Sequence, residues 1–99
     1  MPLDPERKRA LKKQAHHLKP VVIIGQHGLK EGVLAEIDSA LDAHELIKIK
    51  LAGADKAERE TIRQDIVDRI QGIVSIQMIG RTAVFYRANP DKKGKRRRN

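Results

Sequence analysis

The chain contains no cysteine and no tryptophan, and its aromatic residues are a single phenylalanine and a single tyrosine. Without cysteine there are no disulfides, thiolate metal sites or sulfur nucleophiles, a composition that fits a reducing compartment. The two aromatics, Phe85 and Tyr86, are adjacent on a strand-like segment, so they face opposite sides of a sheet and are expected in the core. They cannot supply a multi-aromatic stacking platform. No apolar run approaches the length of a membrane span. The N-terminal MPLDPERKR lacks the apolar stretch of a signal peptide, so a cytoplasmic address is expected. His16, His17, His27 and His44 show no metal-type spacing. Ser39 and Ser75 lack a nucleophile-elbow setting, and no P-loop or dinucleotide fingerprint occurs. We therefore expect no enzyme, no cofactor and no metal.

The 99 residues suffice for one domain with one modest core. The chain is 39% hydrophobic and 34% charged, with a net charge of +8 and a pI near 10.1. That charge is unevenly placed. Residues 1–19 hold six cations against two acids and residues 88–99 six against one, whereas residues 20–87 hold nine against ten. Basicity concentrated at two ends favours a polyanionic partner over a mere solubility role.

Asp4-Pro5-Glu6 predicts a helix start, with Leu11, Ala15 and Leu18 on its apolar face and Lys, Arg and His elsewhere. Pro20 ends that helix. Val21–Ile24 follows without alternation, which predicts a central strand covered on both faces. Val33, Leu34, Ile37 and Leu41 mark a second helix ending near His44. Leu46–Leu51 alternates, with Ile47, Ile49 and Leu51 on one face and Lys48 and Lys50 on the other. Asp55 with Glu58 resembles a capping box ahead of a third helix bearing Ile62, Ile66 and Ile70. Gly72 stands where that helix would be capped. Val74–Ile79 and Ala83–Arg87 form a hairpin through Gly80-Arg81-Thr82. The expected fold class is α/β, a single compact domain over residues 1–88 in the order α-β-α-β-α-β-β. Its four-stranded mixed sheet has three parallel strands and the last antiparallel. Residues 89–99 offer nothing to bury and are read as a disordered basic tail.

The junction Gly25-Gln26-His27-Gly28 lies between the first strand and the second helix. Two glycines three apart permit a tight turn and leave the backbone open to a ligand. The helix start beyond them presents unpaired N–H groups that favour an anion. A plain turn is the competing reading of the spacing.

Taken together, LKPVVII (Leu18–Ile24), the Gly25–Gly28 loop with Leu29, Glu31-Gly32-Val33-Leu34, HELIKIK (His44–Lys50) and IGRTAVFYR (Ile79–Arg87) resemble the CRM-domain family, in particular its bacterial single-domain YhbY-like members. The resemblance runs through nearly all of residues 11–88. It implies a fold similar to the C-terminal domain of translation initiation factor three, RNA as partner, and association with maturing large ribosomal subunits. Lys30 departs from the small hydroxyl residue often found there, which bears on how the second helix is capped. The loop invites comparison with KH domains, but here it joins a strand to a helix, so only the phosphate mechanism carries over.

The expected function is non-catalytic binding of ribosomal RNA in large-subunit precursors, assisting their maturation. The alternative is a protein adaptor that docks on ribosomal particles, through ribosomal proteins, by a helix face. Expected RNA contacts are Gly25, Gln26, His27, Gly28, Lys30 and Arg81, with Lys8, Arg9, Lys12, Lys13 and Lys19 from the first helix and its end. Lys92, Lys93, Lys95, Arg96, Arg97 and Arg98 of the tail would add affinity with little discrimination. Arg81 is a weaker candidate among these, and Lys48, Lys50 and Arg87 are weaker candidates beside it, each open to a plain surface role.

Overall fold

In the computed structural model, which describes residues 3–25, 28–52 and 55–89, helix α1 spans Pro5–Ala15. Asp4 caps it by accepting from the Arg7 N–H at 2.7 Å, with Pro5 at the first helical position, as the sequence signals predicted. The helix ends with His16 as its C-cap. Leu18 therefore lies beyond the helix and is partly exposed instead of completing the apolar stripe.

Strand β1 (Pro20–Ile24), helix α2 (Glu31–His44), strand β2 (Leu46–Leu51), helix α3 (Lys56–Arg69) and the hairpin of β3 (Val74–Ile79) and β4 (Thr82–Tyr86) follow in the expected order. Asp55 and Glu58 form the predicted capping box on α3, with reciprocal bonds of 2.8 and 3.0 Å. The hairpin turns on Gly80 and Arg81. Gly80, at φ 58°, occupies the first loop position, where a II′ turn requires glycine.

The sheet order is β1-β2-β4-β3. β1 runs parallel to β2, and β4 runs antiparallel to both β2 and β3, so three strands share one direction and the last opposes them. The crossover through α3 leaves a gap one strand wide, and the hairpin places β4 in it. This puts β2 and β4 in the centre and moves β1 to an edge, which corrects the expectation of a central first strand. Val22 and Ile24 are buried, whereas Val21 is 48% and Ile23 64% exposed. The apolar run in β1 thus has one buried and one open face.

α2 and α3 cover one side of the sheet. Ile37, Leu41, Ile66 and Ile70 pack there on Val22, Ile24, Ile47, Ile49, Leu51, Ala83 and Phe85. On the other side Leu11 and Ala15 of α1 meet Leu46, Ile76, Val84 and Tyr86. Phe85 and Tyr86 therefore enter opposite cores, as strand geometry requires. A register shift between Ser75 and Gln77 lets Val74 and Ile76 both pack towards α1, while Met78 packs against the opposite core.

Candidate nucleic-acid interface

At the C-terminal end of β1 the Gly28 N–H donates to the Gly25 carbonyl at 3.1 Å, closing a four-residue turn. Gly28 has φ +75°, so the turn itself demands glycine there. Gly25 is different. Its φ lies outside the left-handed region, and a Cβ built on it would meet none of the described residues within 4 Å. Turn geometry accounts for one glycine of the pair and leaves the other without an internal reason. The Gly28 amide is also spent on Gly25, so it is not among the amides left for an anion. Gln26 and His27 lie outside the described residues.

Lys30 is not in the first turn of α2, as the sequence suggested, but is its N-cap, extended at φ −113°. Its carbonyl accepts from the Leu34 N–H at 2.9 Å, while its side chain makes no capping bond. A lysine has no acceptor to offer, so the departure from a hydroxyl residue leaves the first-turn amides uncapped by side chain. Glu31, in that first turn, sets a negative charge beside them.

Two backbone bonds tie this end of the molecule together. Ala52 N–H donates to Ile24 at 2.9 Å, and Leu51 N–H donates to Arg81 at 2.7 Å. The Gly25 turn, the end of β2 and the Gly80-Arg81 hairpin therefore form one rim, with Arg81 exposed. This is the carboxyl end of the three co-directional strands, where open α/β sheets commonly bind ligands.

α1 lies across the opposite half of the sheet. On one flank Arg7 stacks over Tyr86 at 5.5 Å and donates to its hydroxyl at 3.4 Å, and Gln14 lines a cleft of about 370 Å³ with Leu18, Lys19, Val21, His44 and Leu46. That flank faces the end of the sheet remote from the Gly25 turn. At 100° per residue Lys8 and Lys12 fall on the other flank, towards the rim, and both are half-buried. Arg9 and Lys13 are exposed. Lys48 lies at the far end of α1, where its Nζ donates to the Leu18 carbonyl at 3.1 Å.

The expected residues thus divide. Gly25, Gly28, Lys30 and Arg81 share the rim, and Lys8 and Lys12 border it. Lys19 lies at the opposite end of β1, about 16 Å of strand away. Arg87 leaves the candidate set, because it donates to Asp38 at 2.7 Å and Asp42 at 3.0 Å and is spent on α2. The cations of the tail lie outside the described residues. Lys50, a weaker candidate on sequence grounds, is exposed beside the rim. The alternation in β2 already placed it on the face opposite Ile49.

The charge is sided. α1 carries Arg7, Lys8, Arg9, Lys12 and Lys13 against Glu6, whereas α2 carries Glu31, Glu36, Asp38 and Asp42 and no lysine or arginine. On α3, Arg63 pairs with Glu60 at 2.8 Å and Arg69 with Asp65 at 3.1 Å. The hydrogen bond from Arg63 lowers the Glu60 pKa from its ordinary value. Among the described residues no group of acids and histidines is placed to hold a metal ion, and no helix is long and apolar enough to cross a membrane.

The CRS1 / YhbY (CRM) domain model matches residues 3–87. An RNA-binding protein of Haemophilus influenzae is 47% identical over 91 residues, covering 92% of this chain and 91% of the relative. A probable RNA-binding protein of Pseudomonas aeruginosa is 44% identical over 90 residues, covering 91% and 86%. The solution structure of a hypothetical Staphylococcus aureus protein, described as a candidate RNA-binding protein, superposes with a TM-score of 0.76. It is 27% identical and covers 89% of this chain and 91% of its own.

Proposed function

Because the chain belongs to the CRS1 / YhbY (CRM) domain family, we propose that it binds RNA without catalysing a reaction, and that its target is ribosomal RNA in precursors of the large subunit, whose maturation it assists. The names of its relatives support the RNA part of this reading. A cytoplasmic site of action accompanies the ribosomal part. The observation that carries the reading is Gly25, whose side-chain space is empty although neither packing nor φ requires a glycine. A phosphate can approach the backbone there, beside the uncapped start of α2. Lys30 and Arg81 supply charge at the contact, and Lys8 and Lys12 supply it from the flank.

Gly25→Asp isolates this contact, since the new side chain enters open space and the fold is unaffected. In fluorescence anisotropy of the full chain on a structured fragment of large-subunit ribosomal RNA, this variant weakens binding at least about tenfold through like-charge repulsion, with an unchanged thermal melt. Equal binding by both proteins makes the loop a turn only. Transfer RNA as competitor tests the ribosomal assignment, and competition at equal concentration defeats it. Salt-resistant association with a ribosomal protein in the absence of RNA would support an adaptor instead.

A further inference from the structure

α1 covers only part of its side of the sheet. Next to the rim, one cross-strand row is uncovered from edge to edge: Ile23 pairs with Lys50, Lys50 with Thr82, and Thr82 with Ile79. Ile23 and Ile79, at the two ends, are 64% and 56% exposed. Val21 extends the open apolar surface along β1. Among the described residues no acidic side chain of the sheet shares this face, while Lys8 and Lys12 border it and Lys50 rises from it.

Resting on the RNA-binding reading above, we propose that this uncovered half-sheet is a floor for a single-stranded segment of the bound RNA, running from the Gly25 turn across β2 and β4 to Ile79. Three features select that occupant. The charge on the face is of one sign, which suits a phosphate backbone. The floor is continuous with the rim, because Gly25 follows directly on the edge strand that carries Ile23. The exposed side chains at both ends are aliphatic, and they can cover ribose or base faces only where those faces are unstacked. A duplex would bring phosphates and hydroxyls to the isoleucines and leave them uncovered. Four strands give a row about 14 Å long. Sheets of this width in other RNA-binding modules take two or three bases on aromatic side chains. Here Phe85 and Tyr86 are both buried, so aliphatic contact replaces stacking and sequence discrimination on the floor is weak.

The test uses the full chain with two fluorescent probes, an oligouridylate of about 12 nucleotides and a blunt RNA duplex of similar length. Lys50→Gln reduces the salt dependence of oligouridylate binding by about 0.7 log units per log unit of salt. Ile23→Thr combined with Ile79→Thr keeps β-branched residues at exposed positions and so preserves the strands. It weakens oligouridylate binding about fivefold at unchanged salt dependence and leaves duplex binding within about twofold. No binding of oligouridylate by the wild type, or equal binding by the folded variants, overturns the proposal. If Gly25→Asp still weakens ribosomal RNA binding in that case, the loop reading survives alone; if it does not, both fall. Loss of self-association in the isoleucine variant with unchanged RNA binding would make the face a surface between copies and also overturn the floor.

Discussion

On the α2/α3 side of the sheet, Ile47, Ile49, Leu51, Ala83 and Phe85 are all but inaccessible to solvent, whereas on the α1 side Ile23 and Ile79 stand open at the two edges. Both sides are built from β-branched and aliphatic residues, so hydrophobicity alone does not distinguish them. What differs is the cover. Two helices of 14 residues lie on one side, and a single helix of 11 residues, about 16 Å long, lies on the other. The charges follow the same division, with four acids on α2 and five cations on α1. One side of the sheet is covered throughout, whereas the other adds a smaller core under α1 and leaves a basic, partly apolar surface beside it.

The largest expected effect breaks this comparison at the covered side. Phe85→Ala removes the largest fully buried side chain and lowers unfolding free energy by about 3–5 kcal/mol. Ile23→Thr, an aliphatic change on the open side, shifts it by no more than about 0.5 kcal/mol. Urea titration of both variants checks the pair. Comparable losses would mean that Ile23 is packed, and that the two sides do not differ as described.

The sequence made most of the covered side legible and little of the open one. Helix caps at Asp4 and Asp55 and the alternation in Leu46–Leu51 are local signals, and each appears where expected; the hairpin expected through Gly80-Arg81-Thr82 closes on Gly80-Arg81, with Thr82 already paired in β4. The strand directions followed from crossover handedness. The position of β1 did not, because an apolar run reads the same whether both faces are buried or one is left open. Nor could the spacing separate the glycines of the loop: only the positive φ of Gly28 and the empty space at Gly25 do that. For Arg87 the sequence left a plain surface role open beside an RNA contact, and its ion pairs could not be read locally. Its partners Asp38 and Asp42 are 49 and 45 residues away in sequence and on a different element.

That ion pair supplies the intermediate prediction. Arg87 ties β4 to α2, and its neighbour Asn89 continues the tie by donating to the Asp42 carbonyl at 2.9 Å and, through its backbone N–H, to Glu45 at 2.7 Å. Arg87→Ala leaves Asp38 and Asp42 facing each other one turn apart. Because both carboxylates are substantially solvated, the cost is about 1–2 kcal/mol, below that of a buried charge pair. RNA affinity is unchanged if the basic surface lies only on the α1 side. A loss of affinity equal to that of Gly25→Asp, in a variant that remains folded, would extend the interface around the molecule and erase the division between its sides.

The smallest effect has the opposite sign and concerns the one helix start among the described residues whose N-cap makes no side-chain bond. Lys30→Ser provides an oxygen acceptor for the first-turn amides of α2 and removes a cation that opposes the helix dipole. Stability therefore rises by about 0.5–1 kcal/mol in the same urea titration. RNA binding moves the other way. Losing one phosphate contact lowers the salt dependence by about 0.7–0.9 log units per log unit of salt, and the serine hydroxyl occupies amides that an RNA phosphate would otherwise use. A variant that gains stability and loses affinity identifies Lys30 as a residue kept for binding at the expense of the fold. A gain in stability with unchanged binding would move the RNA contact away from the start of α2, onto Arg81 and the sheet.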